Sequence, residues 1–177
     1  VWDLTRAPRK LGEWATPGVT SYSTAWQGRV ALIGNLHGEV LRINLEKPDH
    51  PEVLSTLQLG EDVAVMALTA TPDLVAAGGP RGRLALFDSS GAALPDVQVG
   101  GQILSLDVSE DNTEILAGSS ASNALLLGIS GTSAQVAREL PMKSGVHAVK
   151  HLGDRVVLGG SQGEAVVMDK TGQTIES

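Results

Sequence analysis

Four stretches of the chain share one order of apolar and polar positions. Val30 to Asn44 reads VALIGNLHGEVLRIN, Leu74 to Asp88 LVAAGGPRGRLALFD, Glu114 to Gly128 EILAGSSASNALLLG, and Arg155 to Gly172 RVVLGGSQGEAVVMDKTG. In each, a short apolar run meets a tight turn of glycine or small polar residues, and a second apolar run follows. That pattern predicts a β-hairpin. With Gly34, Gly78, Gly118 and Gly159 at the first loop position, successive repeats are offset by 44, 40 and 41 residues. A period near ~40 residues built from strands alone is the pattern of propeller blades. The expected fold is therefore all-β, a β-propeller of four-stranded antiparallel blades with about four repeats present.

Taken in order, the pattern predicts a partial blade over 1–14, blades over 19–60, 62–100 and 101–141, and a last blade over 145–177 with a short outer strand. Val1 to Leu4 reads as the end of a third strand and Lys10 to Trp14 as an outer one. The next blade has strands at Thr20 to Trp26, Arg29 to Gly34, Glu39 to Leu45 and Val53 to Leu59. The second has Val63 to Thr69, Leu74 to Gly78, Arg83 to Asp88 and Val97 to Val99. The third has Ile103 to Val108, Glu114 to Ala117, Ala124 to Ile129 and Gln135 to Leu140. The last has Val146 to His151, Arg155 to Leu158, Glu164 to Met168 and Gln173 to Ile175. The second strands are nearly continuous apolar runs, as strands covered on both faces require. In Glu39 to Leu45, Leu41, Ile43 and Leu45 alternate with Arg42 and Asn44, so the third strands are expected to have one wetter face and to lie farther out.

Composition narrows the function. The 177 residues suit one domain with a real core. A formal charge of −7, from 20 acidic and 13 basic residues, leaves no basic stripe for a nucleic-acid backbone. Five aromatics, Trp2, Trp14, Tyr22, Trp26 and Phe87, offer little base stacking, and four of them fall in the first 26 residues. There is no cysteine, hence no disulfide or thiolate site. No run of 18 apolar residues and no leader pattern occurs, so a soluble protein without membrane insertion is expected. The start at Val1 rather than Met reads as processing or excision from a longer protein.

Trp2-Asp3 at a strand end, Phe87-Asp88 and Met168-Asp169 at matching places, and the glycine turn of each hairpin resemble the WD-repeat propeller family over essentially the whole chain. The resemblance implies a ring of four-stranded blades acting as a platform for protein partners in a larger assembly. It implies no enzyme activity and no cofactor, and it favours a cytoplasmic or nuclear location. The repeats are divergent: Asn44 and Gly128 replace the aspartate, and no Gly-His dipeptide opens a blade. A competing resemblance rests on Asp88-Ser89-Ser90-Gly91 and Asp169-Lys170-Thr171-Gly172, which look like the Asp-x-x-Gly turn of quinoprotein-like propellers. That family implies a small ligand or support of an enzyme. Four repeats leave strand edges and blade faces to be covered. A larger ring, a second chain, or closure by the N-terminal strand would each cover them.

The remaining motifs read as structural. Gly78 to Gly82 and Gly159 to Gly163 resemble phosphate loops, yet each is followed by a strand instead of the helix that such a loop needs. They are expected to be hairpin turns whose glycines supply positive φ. His147 and His151, four apart on a strand, would stand about 13 Å apart, too far for one metal. No metal site is expected; His147 is expected to be hydrogen-bonded, and His37 and His50 solvated. Glu61-Asp62 and Glu110-Asp111 fall in turns, and Ser105, Ser119 and Ser161 have no recognisable catalytic partners. In the WD-repeat family partners commonly meet the rim made by the second-to-third-strand turns and the connections between blades. Projected onto this chain, that rim holds His37, Arg81 and Gln162 at turn tips, with Trp14, Met142 and Lys143 in the connections. These six are the candidate partner-binding residues, with other proteins as the expected partners; Trp14 stands out because an exposed indole is a common interface anchor.

Overall fold

The computed structural model describes residues 2–3, 9–10, 13, 21–60 and 64–176. All its regular structure is β, in four four-stranded antiparallel sheets and one strand pair, the blades of a propeller. The pair is β1 (Trp2–Asp3) with β2 (Arg9–Lys10), placing Trp2 opposite Lys10. Blade I comprises β3 (Ser21–Gln27), β4 (Val30–Asn35), β5 (Glu39–Asn44) and β6 (Glu52–Gln58). Blade II comprises β7 (Ala67–Ala70), β8 (Leu74–Gly78), β9 (Arg83–Asp88) and β10 (Ala93–Gln98). Blade III comprises β11 (Ile103–Val108), β12 (Glu114–Ser119), β13 (Asn123–Ser130) and β14 (Ser133–Pro141). Blade IV comprises β15 (Val146–Leu152), β16 (Arg155–Gly160), β17 (Ala165–Asp169) and β18 (Thr174–Glu176). Every blade is a simple up-and-down meander.

The blades stack through their first strands, β3 against β7, β7 against β11 and β11 against β15. Strand pleating then explains the apolar second strands, because consecutive residues serve opposite neighbours. In blade III, Ile115 and Ala117 belong to the core shared with blade II, while Leu116 belongs to the core shared with blade IV. In blade II, Val75 and Ala77 face blade I and Ala76 faces blade III. Burying a side chain such as Leu116 contributes about 1.5–3 kcal/mol, so the three interblade cores dominate the stability. The third strands of the inner blades differ from expectation: Leu84 to Phe87 and Ala124 to Leu127 are buried on both faces. Neighbouring blades cover both sides of them, and the wetter face survives in blade I, where Arg42 and Asn44, on one face, are half-buried. The outer strand of blade II also begins earlier than expected, at Ala93, because a bulge between Leu94 and Val97 absorbs the residues that read as a link. Its first strand starts later, at Ala67, because the Val65 and Met66 N–H groups bond to Asn35 and Gly78 carbonyls outside a regular ladder.

The repeated glycine has a different purpose from the one its turn position suggests. Gly34, Gly78, Gly118 and Gly159 end the second strands, and none has a positive φ. A Cβ on Gly78 would lie 2.6 Å from Ile103 Cγ2, one on Gly34 2.5 Å from Val65 Cγ1, and one on Gly118 2.8 Å from Val149 Cγ1 and 3.0 Å from Val146 Cγ1. In each case the entry of the next blade occupies the space, joined at Gly34 by the Ser23 hydroxyl of the same blade. Positive φ falls at the far end of the turn, at Gly38, Ser122, Gly163 and Gly82, where a Cβ would also meet the Gly101 carbonyl oxygen at 2.5 Å. Gly159 is the exception among the notches: its Cβ would meet Ala148 Cβ at 3.5 Å, an ordinary contact.

Gly78→Ala should therefore destabilise the chain by about 1–3 kcal/mol, the usual cost of overpacking a filled site. Gly159→Ala should stay within about 1 kcal/mol of the parent chain. Urea unfolding of the two variants side by side checks this contrast.

Candidate functional site

The rim projected from sequence is stitched by one bond repeated three times. The Leu59, Val99 and Met142 N–H groups, each following an outer strand, donate to the carbonyls of Gly38, Gly82 and Ser122 at 2.8, 2.8 and 2.9 Å. Those acceptors are the positive-φ residues of the second-to-third-strand turns. Each connection between blades is thereby tied to the turn beside it. His37, Arg81 and Gln162 occupy the same position in three of these turns and are exposed; Ala121 takes that place in blade III.

Buried side chains brace the turns from below. Asn35 Oδ1 accepts the His37 and Glu39 N–H groups at 2.8 and 3.1 Å, and Asn35 Nδ2 donates to Glu39 Oε2 at 2.8 Å. That bond, joined by one from Gln58, holds the Glu39 carboxyl below its ordinary pKa. Ser119 does the same in blade III, its Oγ accepting the Ala121 N–H at 3.2 Å and donating to Asn123 Oδ1 at 3.1 Å. In blade IV the Ser144 hydroxyl donates to Glu164 and lowers its pKa, with the Lys143 ammonium a smaller cause.

One of the projected residues changes meaning. Met142 is partly buried against the core between blades III and IV, in the place that Leu59 and Val99 fill in earlier blades, so it is a packing residue with limited reach to a partner. Lys143 is exposed beside it, and both line a shallow cavity of about 440 Å³ with Glu164, Val166, Met168 and Thr174. Trp14, and the acidic pair Glu61-Asp62, lie outside the described residues. The aromatic that stands out is Trp26, 59% exposed, over an apolar cavity of about 290 Å³ lined by Ala31, Ile33, Ile43, Leu45, Pro48 and Pro51. Its signal was the crowding of aromatics in the first 26 residues.

The buried, hydrogen-bonded strand histidine is His151. His147 is exposed, whereas His151 is buried at the inner edge between blades III and IV. Asp107 Oδ2 accepts the His151 N–H at 2.7 Å and lies 3.1 Å from His151 Nδ1, while Asp107 Oδ1 lies 2.5 Å from Lys150 Nζ. Facing a carboxylate, Nδ1 carries the ring proton. Burial pushes the Asp107 pKa up, but these donors outweigh it and hold the carboxyl below its ordinary value. His151 also lines a cavity of about 240 Å³ with Ser109, Glu110, Asp111, Gly153 and Lys170. Lys170 Nζ is engaged at 2.5 Å by Glu114, and Ser109 Oγ donates to Asp111 Oδ1 at 2.7 Å. Among the described residues, no group of three or more histidine, aspartate or glutamate side chains is placed to hold a metal.

On the opposite rim, Asp88 and Asp169 make one motif twice. Asp88 Oδ1 accepts from Ser90 N, Ser90 Oγ and Ala92 N, and Asp169 Oδ1 from Thr171 N, Thr171 Oγ1 and Gln173 N. An arginine of the preceding blade caps each turn, Arg42 on the Ser89 carbonyl at 2.7 Å and Arg138 on the Thr171 carbonyl at 3.1 Å.

Asp107→Ala leaves the buried His151 without its acceptor and should cost about 1–3 kcal/mol in urea unfolding. The turn carboxylates set the response to acid. Bonds from Ser109 and then Thr113 lower Asp111 from 3.8 to about 2. A depressed folded pKa gives stability that is present above the unfolded value and lost as pH falls through the folded one. The melting temperature should accordingly fall between about pH 4 and pH 2, and Asp111→Ala should flatten that fall. Compared with known proteins, the chain matches no family model and no curated protein.

Proposed function

We propose that this chain is a non-catalytic platform within a larger assembly, and that it binds other proteins along the rim carrying His37, Arg81, Lys143 and Gln162. The observation that carries this reading is the repeated bond from the outer-strand exit to the neighbouring turn. It pins the turns of blades I to III, so a partner that meets His37, Arg81 and Lys143 finds preformed contacts and little ordering entropy opposes binding. The tips differ in chemistry, an imidazole, a guanidinium and an amide, on a constant backbone. Constant support with variable tips is the arrangement expected of a recognition surface on a rigid scaffold. The formal charge of −7 disfavours nucleic acid as the direct ligand, and among the described residues no helix is long and apolar enough to cross a membrane.

A second reading draws on the paired Asp88 and Asp169 turns, which support the likeness to quinoprotein-like propellers and a small ligand. Affinity purification separates the two readings. Combined replacement of His37, Arg81, Lys143 and Gln162 by alanine should leave the urea midpoint unchanged, since all four are exposed, and should lower recovery of a stoichiometric protein partner by at least ~10-fold. Undiminished recovery, or a co-purifying small molecule in place of a protein, overturns the platform reading.

A further inference from the structure

The repeat makes its own exceptions visible, and the junction between blades III and IV holds one. Strand register aligns Asp107 with Ala25, Thr69 and Lys150, and His151 with Trp26, Ala70 and Val108. Among the described junctions, this one alone sets a carboxylate on one first strand beside a histidine on the next. Asp107 engages the Nδ1 side of the imidazole at 3.1 Å. The other ring nitrogen, Nε2, is buried and has no hydrogen-bond partner among the described residues. A buried acceptor left in that state has lost water without gaining a donor. Such breaks in an otherwise consistent pattern gather at functional positions.

The space on that side of the ring is polar and rich in acceptors. His151 lines the cavity of about 240 Å³ and Asp107 does not, so the cavity lies against the ring edge that carries Nε2. Three turns wall it, with Ser109, Glu110 and Asp111 between β11 and β12, Gly153 between β15 and β16, and Lys170 between β17 and β18. A Cβ on Gly153 would meet nothing within 4 Å, which leaves that side open. Glu110, Asp111 and the adjoining Glu114 bring three carboxylates against the single ammonium of Lys170, which Glu114 already holds at 2.5 Å. Asp111 commits Oδ1 to Ser109 and Thr113 in its own turn, which leaves Oδ2, and Glu110 is exposed. The cavity therefore lacks donors and positive charge. Among the described residues its histidine and carboxylates are not gathered as a metal ion requires. Its volume is below the ~300–1,000 Å³ of drug-sized sites, so it suits a group the size of one side chain.

We infer that this cavity takes a primary ammonium group, which donates one N–H to His151 Nε2 and the others to the Glu110 and Asp111 carboxylates. The three N–H donors of an alkylammonium match these three acceptors, and hydrogen bonds between charged groups are the strong ones. A quaternary ammonium brings charge without donors, and an alcohol brings a donor without charge, so neither meets what the cavity lacks. The site lies on the rim opposite His37, Arg81 and Lys143 and stands independently of the platform reading.

The test follows the isotope-labelled ring nitrogens of His151 by NMR in the purified chain, at about pH 8, between the ordinary values of an imidazole and an alkylamine. Butylamine should shift the Nε2 resonance with half-saturation below ~10 mM. Tetramethylammonium and n-butanol at the same concentration should leave it in place. Glu110→Gln combined with Asp111→Asn should weaken butylamine by at least ~10-fold. The asparagine carbonyl still accepts from Ser109 and Thr113, and urea unfolding checks that the variant is folded. Glu110→Gln alone, at an exposed position, should weaken it by about 2-fold or more. Nα-acetyl-lysine N-methylamide separates the sources of the group: binding as tight as that of butylamine assigns the site to a lysine side chain of a peptide, and binding at least ~10-fold weaker to a free amine. No response to butylamine, an equal response to tetramethylammonium or n-butanol, or undiminished binding by the folded variants overturns the proposal.

Discussion

The structure depends on one contact made three times, the close approach of each blade's entry strand to a glycine that ends the second strand of the blade before it. At Gly34 and Gly78 this approach leaves no space for a methyl group, and at Gly118 almost none. It sets the spacing between sheets, and the spacing decides which side chains interdigitate. Leu32 and Val75, Ala76 and Ile115, and Leu116 and Val156 pack in successive cores as a result. Shape holds the stack at its centre, and polar ties hold it at the periphery. Asp107 joins two inner strands, and Arg42 and Arg138 reach from one blade to the next blade's outer turn.

Charges and caps follow the same division. Five carboxylates with depressed pKa values, Glu39, Asp88, Asp111, Glu164 and Asp169, sit in turns or at the strand ends that border them, where hydroxyl, amide and backbone donors converge. They fix loop shape and leave the sheets to apolar packing. Asp107 is the exception because it lies on a first strand, where the adjoining blade brings a backbone N–H and an imidazole within reach.

The strands were largely legible in the sequence because their signal is local. Apolar runs flanked by turn residues located most of the strands within a few residues, and the glycine period identified the blade. What was not legible depends on contacts between residues some 40 positions apart. The reason for Gly78 lies in Ile103, and the burial of His151 depends on Asp107. Met142 reads as an exposed loop residue until its N–H is seen to bond with Ser122, which places it with Leu59 and Val99. The bulge before Val97 puts Leu94 and Val97 on one face, opposite Leu86 and Leu84, whereas plain alternation along the sequence would put them on opposite faces. Of the candidate site, the tips His37, Arg81 and Gln162 could be placed because turn position is itself a local property.

The interblade notch also has a consequence for how such a chain can change in length. Blades II, III and IV each present a glycine hollow on one face and a β-branched projection on the other, so the inner junctions are interchangeable in kind. A segment of one whole period, about 40 residues, could be duplicated or deleted with both new neighbours still meeting compatible surfaces. Any other length would bring a projection against a face lacking its hollow. The molecule is modular in units set by a missing side chain.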